Sequence, residues 1–386
     1  MILSYKVKLD PSTDQSQILS NTLDQYKTAI NSPLIYGFKN HISNGVELHK
    51  ATYYPLKEQV NLPAQLICSA RCKATEILKS IRSKTKGKFN TKQPQSHKFP
   101  SIRYDRNSCT ITDEFIRVST TEGRIQIPFI QGEWIERIDF SKVQKSCELQ
   151  RKPEKDVWLL TVFVETEEPK QVEITEEAEE VGGVEKERII GIDRGCKHIA
   201  VCSDNTFFDS KQLRNVKGKY SHLRKRLQSK GTKSAKRLLK SISGKEHRFV
   251  RDVNHCISKQ ITEMPYDIIV LEKLNIKRKK ELGKRFNSIL NGWSYNQLEI
   301  FIDYKAKLRG KKVEFVDARY TSQKCSVCGH ISKSNRYSSA FECKACGYQL
   351  HADLNASRNI RDNFKVIQGI SLDNRVLSIT HTNRAL

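Results

Sequence analysis

Residues 4–9 (SYKVKL) alternate between apolar and polar positions, the period of a half-buried β-strand. From about Thr13 to Ile81 the period lengthens. ILSNTLDQYKTAINSPLIYGF and LPAQLICSARCKATEILKSI place apolar residues at steps of three and four, which predicts amphipathic helices. Pro63 is positioned to open the second of these, because a first turn has no amide bond to lose. Residues 82–98 (RSKTKGKFNTKQPQSHK) are basic and turn-rich and read as an exposed loop. CTITDEFIRVS, RIQIPFI and VWLLTVFVE then return to strand spacing, with turn residues between them, as in a small barrel or sheet.

Past residue 188 the pattern becomes α/β. RIIGIDRG and HIAVCSD are strands and NTFFDS is a third. A long basic stretch with helical spacing runs from about Lys211 to Glu263. YDIIVLEKL is a largely apolar strand that runs into an acid, SYNQLEIFIDYKAKLR an amphipathic helix, and KKVEFVDARY a further strand. DLNASRNIRDNF begins a last helix, and the chain beyond Lys365 shows no strong pattern. Between the two halves, residues 165–188 carry ten glutamates against three basic residues, the composition of a solvated linker.

The pattern does not name a partner; the charge narrows the choice. The 386 residues carry 68 Lys+Arg against 43 Asp+Glu, a net charge of +25. That surplus favours a polyanion, since each cation that neutralises a phosphate releases a condensed counterion. No apolar run is long enough to span a bilayer, and MILSYKVKLD lacks the apolar centre of a secretory signal. A cytoplasmic, nucleoid-associated protein without a membrane partner is therefore expected. Eleven cysteines, an odd number with no secretory signal, argue against a disulfide framework. Cys68 and Cys72, four apart in a helical stretch, read as neighbours on one helix face.

Four other cysteines have a metal spacing. Cys325, Cys328, Cys343 and Cys346 form C-x2-C-x14-C-x2-C, and Gly329 and Gly347 follow the two pairs. Glycine suits the tight turn in which backbone amides reach the thiolates. The spacing predicts one structural Zn2+, with four thiolates leaving no open position for catalysis. His330 and His351 flank the cluster and are not needed as ligands.

Three acids stand at chemically demanding places. Asp193 ends the apolar run Ile189-Ile190-Gly191-Ile192, and Glu272 ends Ile268-Ile269-Val270-Leu271. Asp353 opens the last helix, where taken alone it reads as a helix cap. A strand Asp, a later strand Glu and an Asp at the final helix can converge at one end of a sheet. Carboxylates gathered there repel one another unless cations lie between them. Two Mg2+ ions would relieve that repulsion and form a centre for in-line phosphodiester hydrolysis. The run Lys277-Arg278-Lys279-Lys280 closely follows the Glu272 strand and is a candidate for substrate phosphates, or simply a solvated loop. Phe286, Trp293 and Tyr295 read as base-stacking or core aromatics.

The segments GIDRG, VLEKLN, YTSQKCSVCGH, FECKACGY and HADLNASRNI, in this order, resemble the TnpB (OrfB) proteins of insertion sequences and their relatives, the compact type V CRISPR effectors. The resemblance covers most of 187–361 and is looser before that. It implies an α/β chain with an RNase H-like (RuvC) nuclease core over 188–320 and 350–365, carrying Asp193, Glu272 and Asp353 as catalytic metal ligands. It places the zinc ribbon, with Cys325, Cys328, Cys343 and Cys346, at 321–349. It implies a wedge-like β-barrel over 1–12 and 86–164, with a helical recognition insertion at 13–85. An acidic linker at 165–187 and an unstructured tail at 366–386 complete the expected organisation. The implied partners are a guide RNA derived from the element end and double-stranded target DNA bearing a short adjacent motif. A guided repressor, an RNA-binding accessory protein and a strand-joining transposase are the competing readings. Retention of all three acids speaks against the first of these, and their placement is unexplained by the second.

Overall fold

The computed structural model describes residues 1–85, 93–94, 100–130, 132, 135–136, 138–152, 156–167, 169, 188–274 and 294–370. Most of the basic loop 82–98, most of the acidic linker, Lys277–Lys280, Phe286, Trp293 and residues 371–386 lie outside them. The chain has a mixed α/β fold in two compact units, Met1–Glu167 and Glu168–Leu386.

In the first unit, β1 (Ile2–Lys8) pairs antiparallel with β7 (Val157–Glu165). The apolar alternation of β7 buries Trp158, Leu160, Val162 and Val164 on one face, as a period of two requires. With β6 (Val143–Lys152) and β2 (Ile102–Tyr104) these strands form a sheet of order β1-β7-β6-β2. A second sheet is formed by β3 (Cys109–Ile111), β4 (Phe115–Thr120) and β5 (Gly123–Pro128), and a bridge between Leu9 and Phe129 ties the two together. The spacing does not predict β6, because its sequence VQKSCELQRK has few apolar positions from which to read a period.

Three helices follow β1: α1 (Thr13–Lys39), α2 (Gly45–Gln59) and α3 (Ala64–Lys84). Ser12 and Gln15 close a reciprocal capping box at the start of α1. Pro63 is the N-cap of α3, one residue outside the first turn expected for it. Helix α2 escapes the sequence pattern because Gly45 and Pro55 are poor helix formers. It is held by burial of Leu48, Thr52 and Leu56, and it packs on α3. Cys68 and Cys72 are half-buried free thiols of α3.

The second unit is built on a five-stranded sheet of order β10-β9-β8-β11-β12. Its strands are β8 (Ile189–Asp193), β9 (His198–Cys202), β10 (Phe207–Asp209), β11 (Ile268–Lys273) and β12 (Lys312–Asp317). The first three run antiparallel, whereas β8, β11 and β12 run parallel. The basic stretch divides into α4 (Lys211–Lys230), α5 (Lys233–Ile242) and α6 (Lys245–Glu263), interrupted by Gly231 and Gly244 at φ +62° and +76°. Helix α7 (Tyr295–Leu308) lies between β11 and β12, and α8 (Ala352–Ile367) ends two residues into the segment expected to be tail.

The two inner parallel strands, β8 and β11, are covered on both faces, which explains why they read as continuous apolar runs. Ile190, Ile192, Ile269 and Leu271 pack with Ile257 and Ile261 of α6 and Leu298 and Ile302 of α7. Ile189, Ile268, Val270 and Val316 pack with Ile360 and Phe364 of α8. Gly191 lets α8 approach: a Cβ there would lie 2.2 Å from the Ser357 carbonyl oxygen and 2.6 Å from the Arg361 nitrogen. Gly191→Ala is therefore expected to cost about 1–3 kcal/mol by overpacking. The check is the urea midpoint; an unchanged midpoint would mean that α8 gives way at no cost.

Beyond β12, β13 (Arg336–Tyr337), β14 (Ala340–Glu342) and β15 (Gln349–His351) form a small antiparallel sheet around the cysteine cluster. No helix among the described residues is long and apolar enough to cross a membrane.

Candidate active site and metal centres

Asp193 is the last residue of β8, and Glu272 is the last but one of β11. The ladder between these parallel strands ends at the pair Leu271–Ile192, so the next residue on each, Glu272 and Asp193, emerges at the same carboxyl end of the sheet. Asp353 is the second residue of α8, which packs on β8. It is not the helix cap that its sequence position suggests. His351 takes that place, its Nδ1 accepting the Asp353 amide at 3.3 Å, and the Asp353 carboxylate is left for other partners.

The three acids are within electrostatic reach. Burial pushes the Asp193 carboxyl well above the usual carboxylate range, and the charges of Glu272 and Asp353 push it further, against Arg336 and Arg194. Glu272 is 7% exposed, and burial raises it too, opposed by a hydrogen bond donated by the Thr321 hydroxyl and by the Arg194 and Arg336 charges. A sheet edge that draws acids out of water and sets them against each other favours either protons or a cation. The all-oxygen donor set suits a hard divalent ion.

Four neighbours of these acids escape the sequence reading. The Arg194 side chain is wholly buried; its Nη1 donates to Glu299 at 2.6 Å and its Nη2 to the Glu272 carbonyl at 2.5 Å. A charge directly after an apolar strand, as in Ile192-Asp193-Arg194, was the one available signal for it. His198 Nδ1 lies 2.9 Å from Asp353 Oδ2, and Arg336 Nη2 donates to Asp353 Oδ1 at 2.8 Å. Thr321 anchors Glu272. Nothing local to Arg336, His198 or Thr321 announces these contacts, because each reaches the site from another element. His198, His351 and Asp353 also form a second group of donors close enough to share an ion.

The four cysteines expected to bind metal are brought together, with ligand atoms within 4.8 Å of one another. Cys325 and Cys346 sulfurs are 3.8 Å apart and those of Cys328 and Cys343 3.5 Å. These match the edges of a tetrahedron with metal–sulfur bonds of about 2.3 Å. Gly329 and Gly347 have φ of +75° and +71°, and their amides donate to the Cys325 and Cys343 carbonyls. The knuckle glycines are thus used for the conformation that favours them. Buried Asn355 and Asn359 of α8 hold the first knuckle: Asn355 donates to Lys324 O and accepts from Ser326 N, and Asn359 donates to Thr321 O and Lys324 O. The helix that carries Asp353 therefore also braces the cysteine cluster. The Lys277–Lys280 run, being outside the described residues, has no placement relative to either.

The comparisons with known proteins concern the same segments. A family model described as "Probable transposase" (OrfB of IS605) matches residues 163–282, and one described as "Cas12f1-like, TNB domain" matches residues 295–360. A Cas12f1 CRISPR-associated endodeoxyribonuclease of Sulfoacidibacillus thermotolerans is 41% identical over 128 residues, 32% of this chain and 29% of the relative. The TnpB-like protein MJ0751 of Methanocaldococcus jannaschii is 32% identical over 163 residues, 40% of this chain and 58% of the relative. The aligned part is thus less than two thirds of either relative. In fold, the chain resembles Cas12f1 as solved in complex with sgRNA and target DNA, with a TM-score of 0.59 at 17% identity, over 91% of this chain and 83% of that one. This chain is similar to the TnpB (OrfB) transposon proteins over residues 163–282 and to Cas12f1-like proteins over residues 295–360.

Proposed function

We propose that this chain is an RNA-guided, metal-dependent DNA endonuclease of transposon-associated type. The observation that carries the reading is the convergence of Asp193, Glu272 and Asp353 at one end of a sheet, with Asp193 raised by burial and by the other two acids. The mixed sheet with helices on both faces agrees with an RNase H-like (RuvC-type) core over 188–320 and 350–365. The cysteine cluster at 321–349 is read as a zinc ribbon. The strands of 1–12 and 86–164 are assigned to a wedge-like barrel and the helices of 13–85 to nucleic-acid recognition. Relatives named as TnpB-like proteins and Cas12f1 endonucleases, and the guide-bound and target-bound Cas12f1 fold, support a guide RNA and double-stranded DNA as partners.

In this mechanism Asp193, Glu272 and Asp353 would hold two Mg2+ ions, the hard cations that their mutual repulsion favours. Bound there, the ions would activate a water for in-line attack and stabilise the leaving 3′ oxygen. The remaining steps belong to the chain. Arg194 fixes the Glu272 backbone from the buried side, and Thr321 sets its carboxylate. His198 orients Asp353. Arg336 pairs with Asp353 at 2.8 Å and would be free to meet a substrate phosphate once that carboxylate held metal. The Lys277–Lys280 run, which follows the Glu272 strand, is assigned to phosphate contact.

The test is cleavage of a plasmid library by the purified chain, stripped of RNA or carrying the RNA that copurifies with it. A defined target is expected to be cut only with RNA, beside a fixed short motif. Equal site-specific cutting without RNA would point to a sequence-reading nuclease or transposase, and target binding without cutting to a repressor.

A further inference from the structure

Beside the acids, the second unit contains a cavity of about 710 Å3 that the proposed reaction does not use. One face of α4 walls it, with Arg214, Lys217, Gly218 and Ser221 recurring at steps of three and four. The turn Gly195-Cys196-Lys197, which begins two residues after Asp193, also lines it, together with Tyr295 at the start of α7. Ile199, Leu213 and Leu298 supply an apolar floor. The volume falls within the usual range of about 300–1,000 Å3 for small-molecule and cofactor pockets.

Two further features indicate a ligand. Asn254 lines the cavity and is completely buried; its Nδ2 donates to Ser294 and Gln297 at 3.0 and 2.9 Å, yet its Oδ1 has no partner among the described residues. A buried acceptor without a donor is costly unless something supplies one. Gly218 stands inside α4, where glycine costs about 1 kcal/mol relative to alanine. Packing does not demand it, since a Cβ there would meet nothing within 4 Å. The space over Gly218 is open, and the helix backbone is exposed to close approach.

We propose that this cavity seats one nucleotide of a nucleic-acid strand. The base lies over the apolar floor beside Tyr295, and the phosphate meets Arg214 and Lys197. Asn254 supplies the acceptor for a base or sugar donor. Because the turn Gly195-Cys196-Lys197 begins two residues after Asp193, the seated nucleotide lies near the acids. The inference rests on the nucleic-acid reading above and adds a specific place where a strand is gripped.

The test is photocrosslinking of the full chain, in EDTA, to a single-stranded oligonucleotide carrying one 5-iododeoxyuridine, with the linked peptides identified by mass spectrometry. Crosslinks are expected in the peptides containing 211–224 or Tyr295. Gly218→Trp, which fills the cavity, and Arg214→Glu, at an exposed position, should each lower that yield about tenfold or more, whereas Gly218→Ala should leave it unchanged. Competition by millimolar dTMP would identify a site open to free nucleotides, and resistance to it a site for a nucleotide within a strand. Crosslinks elsewhere, or a yield that survives both Gly218→Trp and Arg214→Glu, would overturn the pocket. The result is independent of catalysis: a parent chain that cleaves but gives no crosslink in these peptides rejects the pocket alone, and crosslinks in a parent chain that does not cleave reject the nuclease alone.

Discussion

Replacing Asp193, Glu272 or Asp353 by alanine is expected to lower DNA cleavage in Mg2+ by about a thousandfold or more, because metal ions at such a site supply several kcal/mol of transition-state stabilisation. Guided binding of the target should persist, since on this reading the carboxylates would hold metal and not the duplex. A cleavage assay beside a gel-shift assay separates the two effects, and full cutting by any one variant would remove that residue from the site. The raised acids add an expectation of opposite sign for the metal-free protein. Asp193 and Glu272 hold protons in the folded state at pH values where the unfolded chain has lost them. The folded state then binds more protons, so metal-free stability falls as pH rises from the ordinary carboxylate range towards the raised values. Asp193→Asn, which cannot ionise, should therefore stabilise the metal-free protein near neutral pH while abolishing cleavage. Mg2+ should stabilise the parent chain and not this variant. Thermal melts at several pH values, with EDTA or Mg2+, decide it. A parent chain whose metal-free stability rises steadily with pH would contradict the burial of these acids.

Cys325→Ser or Cys346→Ser is expected to remove most of about one zinc per chain and to unfold the ribbon locally. The energy at stake is large, since structural zinc sites in peptides bind with about 10–16 kcal/mol, and binding there is inseparable from folding. The consequence should reach the acids. Arg336, on the ribbon strand, contacts Asp353, and Asn355 and Asn359 tie the first knuckle to the helix that carries Asp353. Loss of the ribbon should also free Thr321 from Asn359 and so loosen Glu272. Cleavage is expected to fall with zinc content across chelator-treated samples, even with Mg2+ in excess. Elemental analysis paired with the cleavage assay checks this. Full zinc in Cys346→Ser would exclude the four-thiolate site, and full cleavage without zinc would break the link between ribbon and acids.

Much of this arrangement is legible in the amino-acid order alone. The paired cysteines with their glycines announce a metal cluster because the turn and the ligands are local. Asp193 and Glu272 stand out because each ends an apolar strand, and the period of β7 and the spacing of α1 and α3 follow from burial on one face. Local signals fail where stability comes from elsewhere: α2 carries a proline and an initial glycine and is held by α3, and β6 carries too few apolar residues to declare itself.

The tertiary structure alone decides how the acids meet their partners. The strand register puts Glu272 beside Asp193, and Gly191 admits the helix that delivers Asp353. His351, not Asp353, caps that helix, because cap geometry depends on backbone angles that composition does not specify. Arg194, His198, Thr321 and Arg336 come to the site from separate elements. The sequence by itself marked the four cysteines as a metal cluster and the apolar runs of β7, β8 and β11, since both are properties of residue type and local spacing. The charge environment of those groups depends on distances between residues far apart in the chain, and only the folded packing sets these.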